Sequence, residues 1–152
     1  MSTNPSSLQS PLPRILLVED NEDDEVLAMH AIRSAGIPCE VDVARDGEEA
    51  IARLTTREPA RQMPKLVLLD LNLPKLDGLE VLRRLRADLQ TRHIPVVALT
   101  SSRESQDVLR AYQLGANGYV RKPIDFDEFR ECARVILAHW IRLNVLPPPA
   151  NR

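Results

Sequence analysis

Short apolar runs, each followed by a helical pattern, constrain the fold of this chain more than any other feature. Four such runs lie at 15–18, 66–69, 95–99 and 118–120, and residues 40–43 alternate between apolar and acidic as a half-exposed fifth. Continuous runs of this length are typical of strands buried on both faces, which indicates a parallel sheet. We therefore predict five parallel strands separated by helices.

Start and stop signals between the strands support this prediction. Asp46 and Glu49 predict a capping box at the second helix. Asp23 or Asp24 is predicted to cap the first helix, and Gly36 to end it. Strand and helix therefore alternate five times, which predicts an α/β fold of the (βα)5 type, doubly wound with helices on both faces of the sheet.

The last helix has the clearest periodicity in the chain. Asp125 and Glu128 form its predicted cap pair, and the prolines at 147–149 stop it. Its predicted inner face consists of Phe129, Cys132, Ala133, Ile136, Leu137 and Trp140. We expect a disordered tail at 1–12, one domain at 13–144 and a Pro-rich tail at 145–152.

Composition excludes several classes of protein. A formal charge of -2 gives no electrostatic reason to bind nucleic acid or an anionic membrane. The N-terminus lacks the basic and apolar regions of a signal peptide, and no apolar run reaches the roughly 18 residues of a membrane span. We expect a cytoplasmic protein in which Cys39 and Cys132 are reduced, buried thiols.

Polar residues follow four of the predicted strands. Glu19 and Asp20 follow the first, Asp70 the third, Thr100 the fourth and Lys122 the fifth. The carboxyl ends of parallel strands meet at one edge of the sheet, where open α/β sheets bind their ligands. This edge is therefore the predicted functional site.

The three carboxylates at this edge suit a hard divalent cation. Mg²⁺ takes octahedral oxygen ligands, usually one or two carboxylates with water and phosphate oxygens. Asp20 and Asp70 are candidate carboxylate ligands, and a backbone carbonyl near Asn72 is a third. With the charge offset by the ion, Asp70 can attack a phosphoryl group, while Lys122 and Thr100 contact its oxygens.

The acidic run at 19–25 has two possible interpretations: the solvated start of a helix and a metal site. It places six carboxylates within seven residues. Negative charge in a first helical turn is favourable, so Glu22, Asp23, Asp24 and Glu25 are assigned to the helix start, without contact to the metal. Glu19 and Asp20 are assigned to the metal site.

Six short motifs stand out between residue 14 and about residue 143. They are Val18-Glu19-Asp20-Asn21, Asp70-Leu71-Asn72-Leu73-Pro74, Asp77-Gly78, Leu99-Thr100-Ser101-Ser102, Gly115-Ala116-Asn117-Gly118-Tyr119 and Lys122-Pro123. Together they resemble the receiver domain of two-component response regulators. This resemblance implies a flavodoxin-like fold with strand order 2-1-3-4-5 and a phosphoacceptor signalling protein that has only self-phosphorylation and autodephosphorylation chemistry.

The resemblance assigns a role to each residue at the predicted site. Asp70 maps onto the aspartate that accepts phosphate from a histidine kinase. Asp20 maps onto a direct Mg²⁺ ligand and Glu19 onto one that acts through water. Thr100 and Lys122 map onto the switch hydroxyl and the ion-pairing lysine.

Two further features come from the same resemblance. Tyr119 falls on the switch aromatic of the family, which turns inward when Thr100 moves toward the phosphoryl oxygens. The Lys122-Pro123 bond resembles a peptide that is cis in the family.

The residues at 70–75 and 140–147 resemble single-domain regulators that accompany bacterial phytochromes. This likeness implies a phytochrome-type sensor kinase as partner. It also implies a homodimer through the side formed by the fourth helix, fifth strand and fifth helix. The candidate dimer residues are Trp140, Leu143, Val145 and Leu146, and for Trp140 a place in the core is an equal alternative.

Three alternative functions are considered, each with a sequence feature that distinguishes it. A phosphatase of the dehalogenase type would carry a second aspartate where this chain has Asn72. A flavodoxin-like module for a nucleotide or flavin would need a Gly/Ser/Thr-rich first turn, which is acidic here. A scaffold receiver that never takes phosphate would not need Asp70, Thr100 and Lys122 together.

Overall fold

Strands and helices alternate along the whole described chain. The computed structural model describes residues 11–55 and 63–148. Its elements are β1 (Arg14–Val18), α1 (Glu22–Ser34), β2 (Glu40–Ala44), α2 (Gly47–Thr55), β3 (Leu66–Leu69), α3 (Gly78–Ala87), β4 (Val96–Thr100), α4 (Ser105–Gln113), β5 (Gly118–Arg121), α5 (Phe126–Leu137) and a π-helical segment (Ala138–Leu143).

The five strands form one parallel sheet in the order β2-β1-β3-β4-β5. This confirms the predicted fold class and strand order. Every residue of β3 and β4 is buried, as continuous apolar runs require. The edge strand β2 is mostly half-buried, as its alternating sequence predicts.

Alternate residues of the central strands pack against helices on opposite faces. Leu16 and Val18 belong to a core layer with buried residues of α2, α3 and α4. Ile15 and Leu17 belong to a second layer with α1 and α5. The period-2 alternation of a strand therefore produces the doubly wound architecture.

The helix caps correct one prediction and refine another. α1 begins at Glu22 and is capped by Asn21, whose side chain accepts from the amide of Asp24 at 3.0 Å, so the prediction of Asp23 or Asp24 as cap is wrong. The helix starts earlier because β1 ends at Val18 and the chain turns at once. At α2, Asp46 accepts from the Glu49 amide at 2.8 Å as predicted, whereas the Glu49 carboxylate accepts from the Arg45 amide at 3.4 Å and not from that of Asp46.

The C-terminal helix departs from α-helical geometry after Leu137. The segment Ala138–Leu143 is π-helical, and within it Ile141 is buried in the core while Trp140 is half-buried. Trp140 contacts the second core layer and meets the His139 ring edge-on at 4.5 Å. The Lys65 ammonium binds the Ile141 carbonyl oxygen at 3.0 Å and so satisfies one end of this segment.

Cys39 and Cys132 are free and half-buried, and burial raises the pKa of both thiols. They are therefore unpaired, as predicted, though less buried than expected. No helix within 11–55 and 63–148 has the length and apolar character to cross a membrane. Most of the two predicted tails, at 1–10 and 149–152, lies outside the described residues.

Candidate functional site

The residues that follow the strands meet at one edge of the sheet. The Glu19 amide donates to Ala44 at 2.9 Å, and the Asp70 amide donates to Val18 at 3.1 Å. These bonds continue the sheet one residue past β1 and β3. They fix the backbone of Glu19 and Asp70 at the ends of buried strands, so both carboxylates extend from rigid parts of the sheet.

Asp70 is buried, and both of its carboxylate oxygens accept hydrogen bonds. Oδ1 accepts from the Thr100 hydroxyl at 3.0 Å and from the Asn72 amide at 3.1 Å. Oδ2 accepts from the Lys122 ammonium at 3.0 Å. Donors from three different segments therefore fix the plane of this carboxylate.

Lys122 contacts three carboxylates at once. Its Nζ lies 2.5 Å from Oε1 of Glu19 and 3.0 Å from carboxylate oxygens of both Asp24 and Asp70. Burial alone would lower the pKa of Lys122, but hydrogen bonds to Glu19 and Asp24 and the charge of Asp70 raise it above its ordinary value. The lysine is therefore fully charged at neutral pH.

Asp24 is a site residue that the sequence analysis missed. It was assigned to a solvated helix start without contact to the metal, yet its carboxylate pairs with Lys122 across a separation of 98 residues. The sequence did contain a signal for this contact. α1 begins immediately after the site, so Asp24, its third residue, lies on the first helical turn and close to the strand ends. The other part of that assignment, a charge-bearing first turn, is confirmed.

Glu19 is an acid held in an unfavourable environment for its charge. Burial, aided by the nearby negative charge of Asp70, raises the pKa of Glu19 to about 7, although the contact with Lys122 opposes the shift. The single positive charge of Lys122 does not balance the negative charges of the surrounding carboxylates. A cation bound here would favour the ionised form of Glu19.

The acidic cluster fits a divalent metal ion. Glu19, Asp20 and Asp70 each offer a carboxylate oxygen, and these oxygens lie within 4.8 Å of one another. Opposite ligands of an octahedral ion at about 2.1 Å are about 4.2 Å apart, so small side-chain adjustments or one bridging water complete such a site. Asp20 and Asn72 are exposed to solvent, while Glu19 and Asp70 are buried.

The predicted switch residues are connected through Ser102. Thr100 is completely buried, and its hydroxyl oxygen accepts from the Ser102 amide at 3.4 Å. The half-buried Tyr119 donates its hydroxyl to the Ser102 carbonyl oxygen at 3.1 Å. Its ring also packs against the first core layer. The structure therefore brings Thr100 and Tyr119 to the same loop after β4.

The Lys122-Pro123 peptide is trans, because no peptide bond among the described residues is cis. The expectation of a cis bond is therefore wrong in this structure. The trans form is the lower-energy isomer of an X-Pro bond by about 0.5–1 kcal/mol. Lys122 reaches the site nonetheless, with its amide bonded to the Thr100 carbonyl at 2.9 Å.

Comparison with known proteins decides the family. The family model described as "Response regulator receiver domain" matches residues 15–134. The chain belongs to this family. The receiver domain is a signalling domain, and this assignment decides against the flavodoxin-like nucleotide or flavin module.

Relatives of this receiver domain include phytochrome response regulators. Response regulator Rcp1 of Synechocystis sp. is 35% identical over 144 residues, which are 93% of this chain and 98% of Rcp1. A crystal structure of Rcp1 in its Mn²⁺-bound form has a TM-score of 0.80 at 36% identity and covers 90% of this chain and 99% of that one.

Two further solved structures are similar over the same span. The phosphorylated cyanobacterial phytochrome response regulator RcpA has a TM-score of 0.83 at 37% identity, covering 90% of this chain and 99% of that one. The bacteriophytochrome response regulator AtBRR has a TM-score of 0.71 at 45% identity, covering 90% and 100%. This receiver domain is therefore similar to single-domain phytochrome-type regulators over their whole length.

Proposed function

We propose that this receiver domain accepts a phosphoryl group on Asp70 from a histidine kinase, with Mg²⁺ bound at Glu19, Asp20, Asp70 and the carbonyl of Asn72. The observation that carries the proposal is the set of groups around Asp70. Carboxylates for the metal, a charged lysine and a hydroxyl all lie at one sheet edge. Residues from four strand ends converge there.

The transfer requires Asp70 as a nucleophile. A carboxylate oxygen of Asp70 bonds to phosphorus as the bond from phosphorus to the kinase histidine nitrogen breaks, and the histidine leaves with the electron pair of that bond. Glu19, Asp20 and Asp70 would hold the Mg²⁺ ion, whose charge would offset the repulsion between the carboxylate and the phosphoryl oxygens. Lys122 and the Thr100 hydroxyl, both already bonded to Asp70, are in reach of those oxygens.

The output is a change between two conformations. Once Thr100 donates to a phosphoryl oxygen instead of Asp70, the contacts that hold the loop after β4 change. Tyr119 is bonded to that loop through Ser102, so its position and the surface of α4 and β5 respond. We assign Thr100 and Tyr119 as the switch residues on this basis.

The kinase partner fits a surface beside the site. Val26 of α1 is 68% exposed, and Ile124, two residues after Lys122, is 89% exposed. Exposed apolar side chains next to a phosphoacceptor favour docking of a protein donor over a small molecule. The similarity to RcpA, Rcp1 and AtBRR favours a phytochrome-type kinase in the cytoplasm.

Incubation with acetyl phosphate and Mg²⁺ tests the proposal. We expect intact-mass spectrometry to show one added phosphoryl group that is stable in acid and labile in base. EDTA and the variant Asp70→Asn should each abolish it. A wild-type protein that gains no phosphate would favour the scaffold receiver, and an adduct that survives in Asp70→Asn would reject Asp70 as the acceptor.

We also propose a homodimer through α4, β5, α5 and the C-terminal segment. Leu109 and Tyr112 of α4 and Val135 of α5 are each more than half exposed. In the C-terminal segment, Leu143 and Val145 are strongly exposed, Leu146 is half-buried and Trp140 contacts the core.

The dimer prediction is tested by light scattering after size exclusion, with and without beryllofluoride and Mg²⁺. We expect a dimer in the presence of beryllofluoride, and we expect the variant Val145→Asp to reduce it, since a charge would enter an apolar contact. The matched variant Val26→Asp, on α1 and outside the proposed interface, should leave it intact. A monomer in both states would contradict the dimer.

A further inference from the structure

We propose that Asp24 forms an ion pair with the Lys122 ammonium before phosphorylation and competes with the incoming phosphoryl group for that ammonium. Asp24 therefore slows phosphorylation of Asp70. This inference rests on the proposed function. It concerns a carboxylate from the first turn of α1, outside the cluster of three carboxylates suited to the metal.

The Lys122 ammonium has no hydrogen-bond donor left for a phosphoryl oxygen. A lysine ammonium has three N–H donors. All three have carboxylate partners here, one each from Glu19, Asp24 and Asp70. The Lys122 side chain is only 9% exposed, so there is little room for a further partner. To bind a phosphoryl oxygen, Lys122 must release one of these contacts.

Of the three carboxylate contacts of Lys122, the contact with Asp24 is the one that is released. Glu19 and Asp70 are buried beside Lys122, with side chains 3% and 7% exposed, and these contacts cannot separate far. Asp24 is 42% exposed, so water can replace Lys122 as its partner at low cost. The contact to Asp24 is therefore the cheapest to break.

The geometry at the start of α1 brings Asp24, and not its neighbour Asp23, to Lys122. Asn21 accepts from the Asp24 backbone amide at 3.0 Å, which fixes the start of α1. The Asp24 carboxylate then reaches Lys122 at 3.0 Å, whereas Asp23 makes no such contact among the described residues. Both residues are acidic and share a helical turn, so Asp23 is a matched control.

The test compares Asp24→Ala with Asp23→Ala. Each variant removes one carboxylate from the same turn, so both change net charge and helix propensity equally. Two quantities are measured for wild type and both variants: the rate constant of phosphorylation by acetyl phosphate at saturating Mg²⁺, and the Kd for Mg²⁺ alone by calorimetry. Asp24→Glu serves as the rescue variant, since a longer carboxylate can still reach Lys122.

We expect Asp24→Ala to be phosphorylated about fivefold faster than Asp23→Ala, the factor that loss of one partly exposed ion pair supplies. The Kd for Mg²⁺ of the two variants should agree within about twofold, since both lose one negative charge near the proposed Mg²⁺ site. Asp24→Glu should return the rate toward wild type. This separation of rate from metal affinity would not arise from a merely structural role.

Equal rates for Asp24→Ala and Asp23→Ala would overturn the inference while leaving the proposed function intact. A slower Asp24→Ala would also overturn it, because Asp24 would then assist Lys122. If wild type itself gains no phosphate under the same conditions, the proposed function fails first and the inference fails with it. Melting temperatures of wild type and all three variants confirm that each is folded at the assay temperature.

Discussion

Lys122→Met is expected to destabilise the metal-free protein by about 3–5 kcal/mol, the cost of removing one partner from a buried ion pair. The substitution keeps the length and the apolar stem of the side chain, and removes only the charge. Glu19 and Asp70 would then face each other, both buried, with no cation between them. A total stability of about 5–15 kcal/mol is usual for a domain of this size, so the loss is a large fraction.

Added Mg²⁺ should return most of that stability. With Lys122 gone, the cluster of Glu19, Asp20 and Asp70 has no internal cation, so the variant gains more from the metal than wild type does. Urea unfolding in EDTA and again in Mg²⁺ measures both effects. Lys75→Met is the matched control, because Lys75 is 61% exposed and water screens its pair with Asp46.

Two outcomes would contradict this account of Lys122. One is an unfolding free energy in EDTA that differs from wild type by no more than the control does. The other is a loss that Mg²⁺ does not reverse, which would locate the damage in packing and not in charge.

Gly78→Ala is expected to disturb the phosphoacceptor loop. A Cβ at Gly78 would lie 2.5 Å from the carbonyl oxygen of Asp70 and 2.6 Å from the Cα of Leu71. Both are backbone atoms, so the loop itself must move. Helix propensity alone favours alanine at the start of α3 by about 1 kcal/mol, and overpacking of this kind costs about 1–3 kcal/mol. We expect the steric cost to prevail.

The larger effect should be on phosphate acceptance. Displacement of a reacting group by about 1 Å can lower a rate by about 100-fold. Gly118→Ala is the control, since its Cβ would meet Val97 at an ordinary distance of 3.6 Å. Rates with acetyl phosphate and unfolding free energies of both variants give the comparison. Equal rates for Gly78→Ala and Gly118→Ala would show that the close approach does not position Asp70.

Most of the fold could be predicted because its signals are local. Aliphatic runs such as residues 66–69 have the length and composition of strands buried on both faces, and the structure buries all four. Capping residues such as Asp46 and Asp125 mark helix starts correctly. The site followed from the fold, since residues at parallel strand ends must meet.

The errors come from interactions that sequence periodicity does not encode. The cap at Asn21 depends on how tightly the chain turns after β1, and the pair between Asp24 and Lys122 depends on how the first turn of α1 meets the segment after β5. The π-helical geometry of Ala138–Leu143 also leaves no periodic signal in the sequence. Each of these features results from three-dimensional contacts or from a local change in helix geometry.

The most direct measurement of the central claim is the position of the phosphoryl group. Protein treated with acetyl phosphate and Mg²⁺ is reduced with borohydride, which converts an acyl phosphate to an alcohol, and then digested and sequenced by tandem mass spectrometry. We predict the reduced residue at position 70 alone, with Glu19, Asp20 and Asp24 unchanged. Reduction at one of those three carboxylates, or at no residue, would contradict the assignment of Asp70 as phosphoacceptor.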